Sequence, residues 1–149
     1  EESCCRRPNY MEIAMDKSQL LAFLKEQMNM LKDKLATSTN IIGNGYRINS
    51  GAWANDSGFC VAFLSCIRQP HEESIDLTMD VTIEKKTITF SKAIYWSDGN
   101  IIQDLGTVEL PWTEPRDARD NIGIFFNQLI ENDLKIYSDF VLQQKDNLD

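Results

Sequence analysis

The sequence predicts an α+β fold: an antiparallel meander of four to five strands, with an N-terminal helix and one long or broken C-terminal helix packed on one face. Three observations carry this. Ile75, Leu77, Met79, Val81 and Ile83 alternate with Asp76, Thr78, Asp80, Thr82 and Glu84. That strict period of two marks a strand with one dry and one wet face. Apolar residues at steps of three and four flank the strand-rich middle, with Leu20, Leu24, Met28, Leu31 and Leu35 before it and Ile122, Phe125, Phe126, Leu129 and Ile130 after it. Each set makes a helical stripe. The turns between the strand-like runs are short, and residues 68–74 are too few to hold a helix between strands.

The elements follow in order. Residues 1–15 are expected to be a flexible tail, and residues 16–149 a single α+β domain. Asp16 or Ser18 caps the first helix, whose Lys25, Glu26, Lys32 and Asp33 face water. The run Thr37-Ser38-Thr39-Asn40 and the glycines Gly43 and Gly45 end it. A strand is expected over 46–53, then a turn at Asn55-Asp56-Ser57-Gly58, then a strand over 59–67. This second strand is apolar on both parities, with Phe59, Val61 and Phe63 against Cys60, Ala62 and Leu64, and is expected to be covered on both faces.

Lys85-Lys86 turns the period-two strand into a partner over 87–96. A hairpin closed there opposes Glu84 to Thr87, Val81 to Phe90 and Leu77 to Ile94. On the wet face it matches Thr82 to Thr89, Asp80 to Ser91 and Asp76 to Tyr95. Each matched pair contributes roughly 0.2–1 kcal/mol. Lys92 falls on the apolar side opposite Met79 and is expected at the sheet margin. Ser97-Asp98-Gly99-Asn100 is a turn leading to a last strand over 101–110, where Gly106 signals a bulge or a close contact. Thr113 caps the C-terminal helix, with Pro115 in its first turn. Asn132-Asp133 breaks or dents that helix before Ile136, Tyr137, Phe140 and Val141 continue it.

A chain of 149 residues, 42% hydrophobic and 26% charged, is that of an ordinary globular domain. Its longest apolar stretches, 58–67 and 122–130, fall far short of the roughly 20 residues that span a bilayer. No basic, apolar, small-residue order at the start marks a signal peptide, so a cytoplasmic location is expected. The chain opens on Glu1, which marks residues 1–10 either as a processed terminus or as foreign to a natural start at Met11. The residues leave both open.

Charge is uneven. Residues 1–68 balance at +1, residues 69–149 at −9, giving the overall −8. The basic residues are scattered, so the cationic footprint that phosphate contacts require is missing, and nucleic-acid binding is not expected. Cys60 and Cys66 lie about 20 Å apart along one strand and cannot bond to each other. With no Cys-x-x-Cys pair and His71 as the single histidine, no metal site or cofactor is expected. His71 reads as a solvated loop residue, and apolar surroundings argue against either strand cysteine as a nucleophile. No catalytic residue is assigned, and a non-enzymatic protein is expected.

The candidate partner-binding residues lie on or beside the wet face: Asp76, Thr78, Asp80 and Glu84, with Tyr95 and Trp53 as aromatic anchors. Successive acids there are four residues, roughly 13 Å, apart, too far to share an ion. Acids beside aromatics suit docking of a basic protein. In size, acidity and helix–meander–helix order over residues 16–144, the chain resembles the immunity proteins that protect bacteria from polymorphic and contact-dependent toxins. That resemblance implies a stoichiometric inhibitor, monomeric or homodimeric, covering the active site of a basic toxin such as a nuclease. The alternative is a small-molecule carrier or enzyme with a pocket between the C-terminal helix and the sheet, lined by Phe125, Phe126, Tyr137, Phe140, Trp96 and Trp112. Size and low pI also resemble the type III secretion chaperones, which place a helix within the strand series. A further alternative is a structural subunit whose acid face pairs with a sister chain.

Overall fold

A computed structural model of the chain describes residues 17–54, 59–70, 73–84, 87–111 and 115–148. The expected tail, His71, Lys85-Lys86, Trp112 and the cap at Thr113 lie outside these. Helix α1 (Lys17–Ser38) leads through a short 3-10 turn (Ile42–Asn44) into strands β1 (Tyr46–Ala54), β2 (Phe59–Arg68), β3 (Glu73–Glu84), β4 (Thr87–Trp96) and β5 (Ile101–Pro111). Helix α2 (Pro115–Gln128), a π-helical turn (Leu129–Asp133) and helix α3 (Leu134–Leu148) follow. The strands form one sheet in the order β1-β2-β3-β4-β5, every neighbouring pair antiparallel. This is the predicted α+β meander with five strands.

The β3–β4 register matches the expected pairing residue by residue, from Glu84 with Thr87 to Asp76 with Tyr95. On β5 the ladder slips twice, once beside the Lys92–Gly106 pair, and Gly106 has a φ of 94°. A bulge at this glycine follows from its freedom to adopt the left-handed region.

The core lies between the helices and the sheet face formed by Ile75, Leu77, Met79 and Val81 on β3, with Ile88, Phe90 and Ile94 on β4. Leu20, Leu24, Met28, Leu31 and Leu35 line the buried stripe of α1, which lies over β1 and β2. At the end of α1 the hydroxyls of Thr37, Ser38 and Thr39 donate back to the carbonyls of Asp33, Lys34 and Leu35, one turn earlier. Over the other strands, Phe125 stacks on Phe90 with ring centroids 3.9 Å apart, and Phe140 meets Trp96 edge-on at 5.6 Å. The Tyr137 hydroxyl donates to the backbone carbonyls of Leu64 and Ile75.

Two expectations change. Lys92 is not at the margin: it is largely buried on the core face, and its Nζ pairs with Asp133 in the π-helical turn. The dent expected at Asn132-Asp133 is therefore a single π-helical insertion whose acid answers a sheet lysine. Among the described residues β2 is covered by helices on one face only. All described helices lie on one side, and among the described residues no element covers the face carrying Val61, Phe63 and Ile67.

Candidate protein-binding face

The uncovered face is ordered by the ladders into cross-strand rows. One row runs Asn49, Ser65, Asp76, Tyr95; the next Gly51, Phe63, Thr78, Ala93; the next Trp53, Val61, Asp80, Ser91; and a fourth holds Thr82 and Thr89. Period-two alternation on β3 puts its acids here, because every core position on that strand is apolar. Five of the predicted partner-binding residues, Asp76, Thr78, Asp80, Tyr95 and Trp53, fall within these rows, and Glu84 continues the β3 line beyond them.

Their surroundings differ. Asp76 is half-buried and accepts a hydrogen bond of 2.6 Å from the hydroxyl of its cross-strand partner Ser65. Thr78 is half-buried between Phe63 and Ala93. Asp80 and Glu84 are exposed. Partial burial on the sheet still raises the Asp80 carboxyl above its ordinary value. Tyr95 is half-buried opposite Asp76, and Trp53 on β1 is 50% exposed. Among the described residues, none of Asp76, Asp80 and Glu84 enters a salt bridge.

The residues the sequence reasoning left out are the apolar neighbours on β2. Val61, Phe63 and Ile67 run beside the acid line, with Val61 buried and the other two half-exposed. Phe63 lies against Gly51, where an added Cβ would stand 3.1 Å from two of its ring carbons, so the missing side chain seats the ring. The signal was the double apolar parity of β2, which looks the same whether the second face meets a helix or a partner. The face thus offers carboxylates bordered by apolar and aromatic surface, which is what a cationic surface with apolar content requires.

Of the residues expected to line a helix–sheet pocket, three are packed into the core. Phe125, Phe126 and Tyr137 are 0–2% exposed and form the core itself. A recess of about 380 Å³ opens instead where the strand ends meet, lined among others by Tyr46, Arg68, Glu73, Trp96, Asp98 and Asn100. Among the described residues of the expected lining, Trp96 alone belongs to it. The Arg68 guanidinium stands 5.9 Å from the Tyr46 ring centroid.

Cys60 and Cys66 are buried free thiols. Burial pushes the Cys66 thiol up to about 12, the reverse of what a nucleophile needs. Among the described residues no three of His, Cys, Asp and Glu converge as a metal site would require. No described helix is long and apolar enough to cross a membrane. No protein-family model matches the chain, and no curated protein or solved structure matches it.

Proposed function

We propose that the chain is a non-enzymatic, acidic protein-binding module that acts as an immunity-type stoichiometric inhibitor of a basic toxin. One observation carries this reading: Asp76, Asp80 and Glu84 lie on one sheet face that no described element covers, edged by Val61, Phe63 and Ile67. The carboxylates take the place of the anionic substrate of a toxin such as a nuclease, and steer its approach. Trp53 and Tyr95 supply the rigid aromatic contacts on which such interfaces concentrate their energy. The inhibitor covers the toxin's cleft and turns nothing over.

The test is binding to a basic toxin-like protein encoded beside this chain. Asp76→Lys combined with Asp80→Lys is expected to weaken the complex at least about tenfold while leaving the melting temperature nearly unchanged. Unchanged affinity at low salt removes the acid face from the account.

The recess at the strand ends favours a second reading, a small-molecule binder, because its volume lies in the range of ligand sites. A bound small molecule in native mass spectra, lost on Trp96→Ala, would support that reading over the inhibitor.

A further inference from the structure

We infer that the recess at the strand ends binds a free α-amino acid with an apolar or aromatic side chain. The inference rests on the small-molecule reading of that recess and names its ligand.

The ladders place the recess at one end of the sheet, on the side that carries the helices. Tyr46, Arg68 and Glu73 form one cross-strand row, and Ile75 with Trp96 belongs to the next. Helix α3 borders it and fixes two aromatic walls. The Tyr46 hydroxyl donates to the Val141 carbonyl at 3.3 Å, and Phe140 meets Trp96 edge-on. Trp96 is 37% exposed, so part of its indole is left for another apolar group, and Ile75 opposite it is buried. A volume of about 380 Å³ suits one small molecule rather than a length of peptide.

The charges of the recess suit a zwitterion. Arg68 and Glu73 are directly opposed on the β2–β3 ladder, a position where opposite charges ordinarily pair. Here they do not. Among the described residues the exposed Glu73 enters no salt bridge, and the Arg68 guanidinium stands over the Tyr46 ring. A cation and an anion are thus held side by side without meeting. A carboxylate and an ammonium on one carbon answer both, the carboxylate on Arg68 and the ammonium on Glu73, with the side chain against Trp96. A guanidinium carries five N–H donors, so Arg68 can take a carboxylate beside the contacts it already makes. The other acid lining the recess, Asp98, does not compete for the ammonium. One of its oxygens accepts from the Asn100 backbone N–H at 2.9 Å and the other from the Asn100 side-chain amide at 3.0 Å. A ligand with one charge alone would leave either Arg68 or Glu73 unanswered.

Calorimetric titration of the full chain tests this, with L-phenylalanine and L-leucine each beside its N-acetyl and C-terminal amide forms. At least one free amino acid is expected to bind. Its two analogues, each lacking one charge, are expected to bind at least about tenfold more weakly, the effect of one lost charge-assisted hydrogen bond. Glu73→Gln, at an exposed position, is expected to erase the advantage over the N-acetyl form and to keep the advantage over the amide. Failure of both free amino acids to bind at millimolar concentration overturns the inference. So does equal binding of the charged and blocked forms, or a Glu73→Gln variant that still rejects the N-acetyl form. A different small molecule carried by the native chain and lost on Trp96→Ala would, in those cases, leave the small-molecule reading standing and strike out only this ligand.

Discussion

Lys92 Nζ lies 2.5 Å from Asp133 Oδ2, with the two side chains only 10% and 12% exposed. The lysine comes from the middle of β4 and the acid from the π-helical turn between α2 and α3, so the pair ties the helical layer to one position on the sheet. Lys92 Nζ also stands 5.6 Å from the Phe125 ring centroid, which places the ammonium against a ring that stacks on Phe90.

Breaking that pair from one side is expected to cost more than removing it altogether. Asp133→Leu leaves a buried ammonium without its carboxylate and is expected to destabilise the fold by roughly 3–5 kcal/mol. Lys92→Met together with Asp133→Leu is expected to recover most of that loss. Urea unfolding of the two variants beside the native chain checks the difference, and an equal loss in both would assign the effect to packing.

Tyr137 is expected to matter through its hydroxyl. The group is fully buried and donates to the carbonyls of Leu64 and Ile75, which belong to neighbouring strands β2 and β3. Tyr137→Phe keeps the ring and removes the shared donor, with an expected loss of about 1–3 kcal/mol. Chemical denaturation measures it, and amide exchange at the surrounding strand positions is expected to quicken.

The Cys66 thiol is held in its neutral form. Burial raises it from the ordinary 9.0 to about 12, and the nearby Asp76 charge adds to the rise. The folded value is the higher of the two, so the contribution to stability is fully present below pH 9 and is lost as pH climbs toward 12. Alkylation of Cys66 at mildly alkaline pH is expected to proceed at the rate at which the molecule opens. Labelling as fast as that of an unfolded peptide would contradict the burial argument.

Asp80 gives a slope of the same sign at the acidic end. Its folded carboxyl stands above the ordinary 3.8, so the neutral form favours folding, and this advantage disappears as pH rises through the folded value. Asp80→Asn is expected to gain stability relative to the native chain as pH rises from below 3.8 through the higher folded value. Thermal unfolding over that interval reads the crossover. A docked cation favours the ionised carboxylate, so affinity for a basic partner is expected to rise over the same interval.

The β3–β4 hairpin was legible because strict alternation and a short turn leave one sensible register, which the ladder reproduces from Glu84 to Asp76. Both helical stripes were legible for the same reason, since periodicity is a local property of the chain. The place of Lys92 was not. Its partner lies 41 residues away on a helix, and a lysine at an apolar position looks marginal until that partner is located. The recess at the strand ends escaped notice because it is assembled from the ends of β1, β2, β3 and β4 and the turn after β4, none of which carries a motif alone. The second face of β2 is ambiguous in the sequence, because hydrophobicity along a strand records burial without saying what does the burying, and Val61 there is buried with no described element above it.

A sheet in which every strand hydrogen-bonds to its neighbour in the chain can zip up in the order of synthesis, through closures of a few residues each. Its dry side, however, is finished only by α2 and α3, which leave the ribosome after every strand of the sheet. Until Tyr137 emerges, the Leu64 and Ile75 carbonyls lack the hydroxyl that later joins them. The nascent chain therefore passes through a stage with an assembled but uncapped sheet, and the carboxyl-terminal helices act as the latch that ends it.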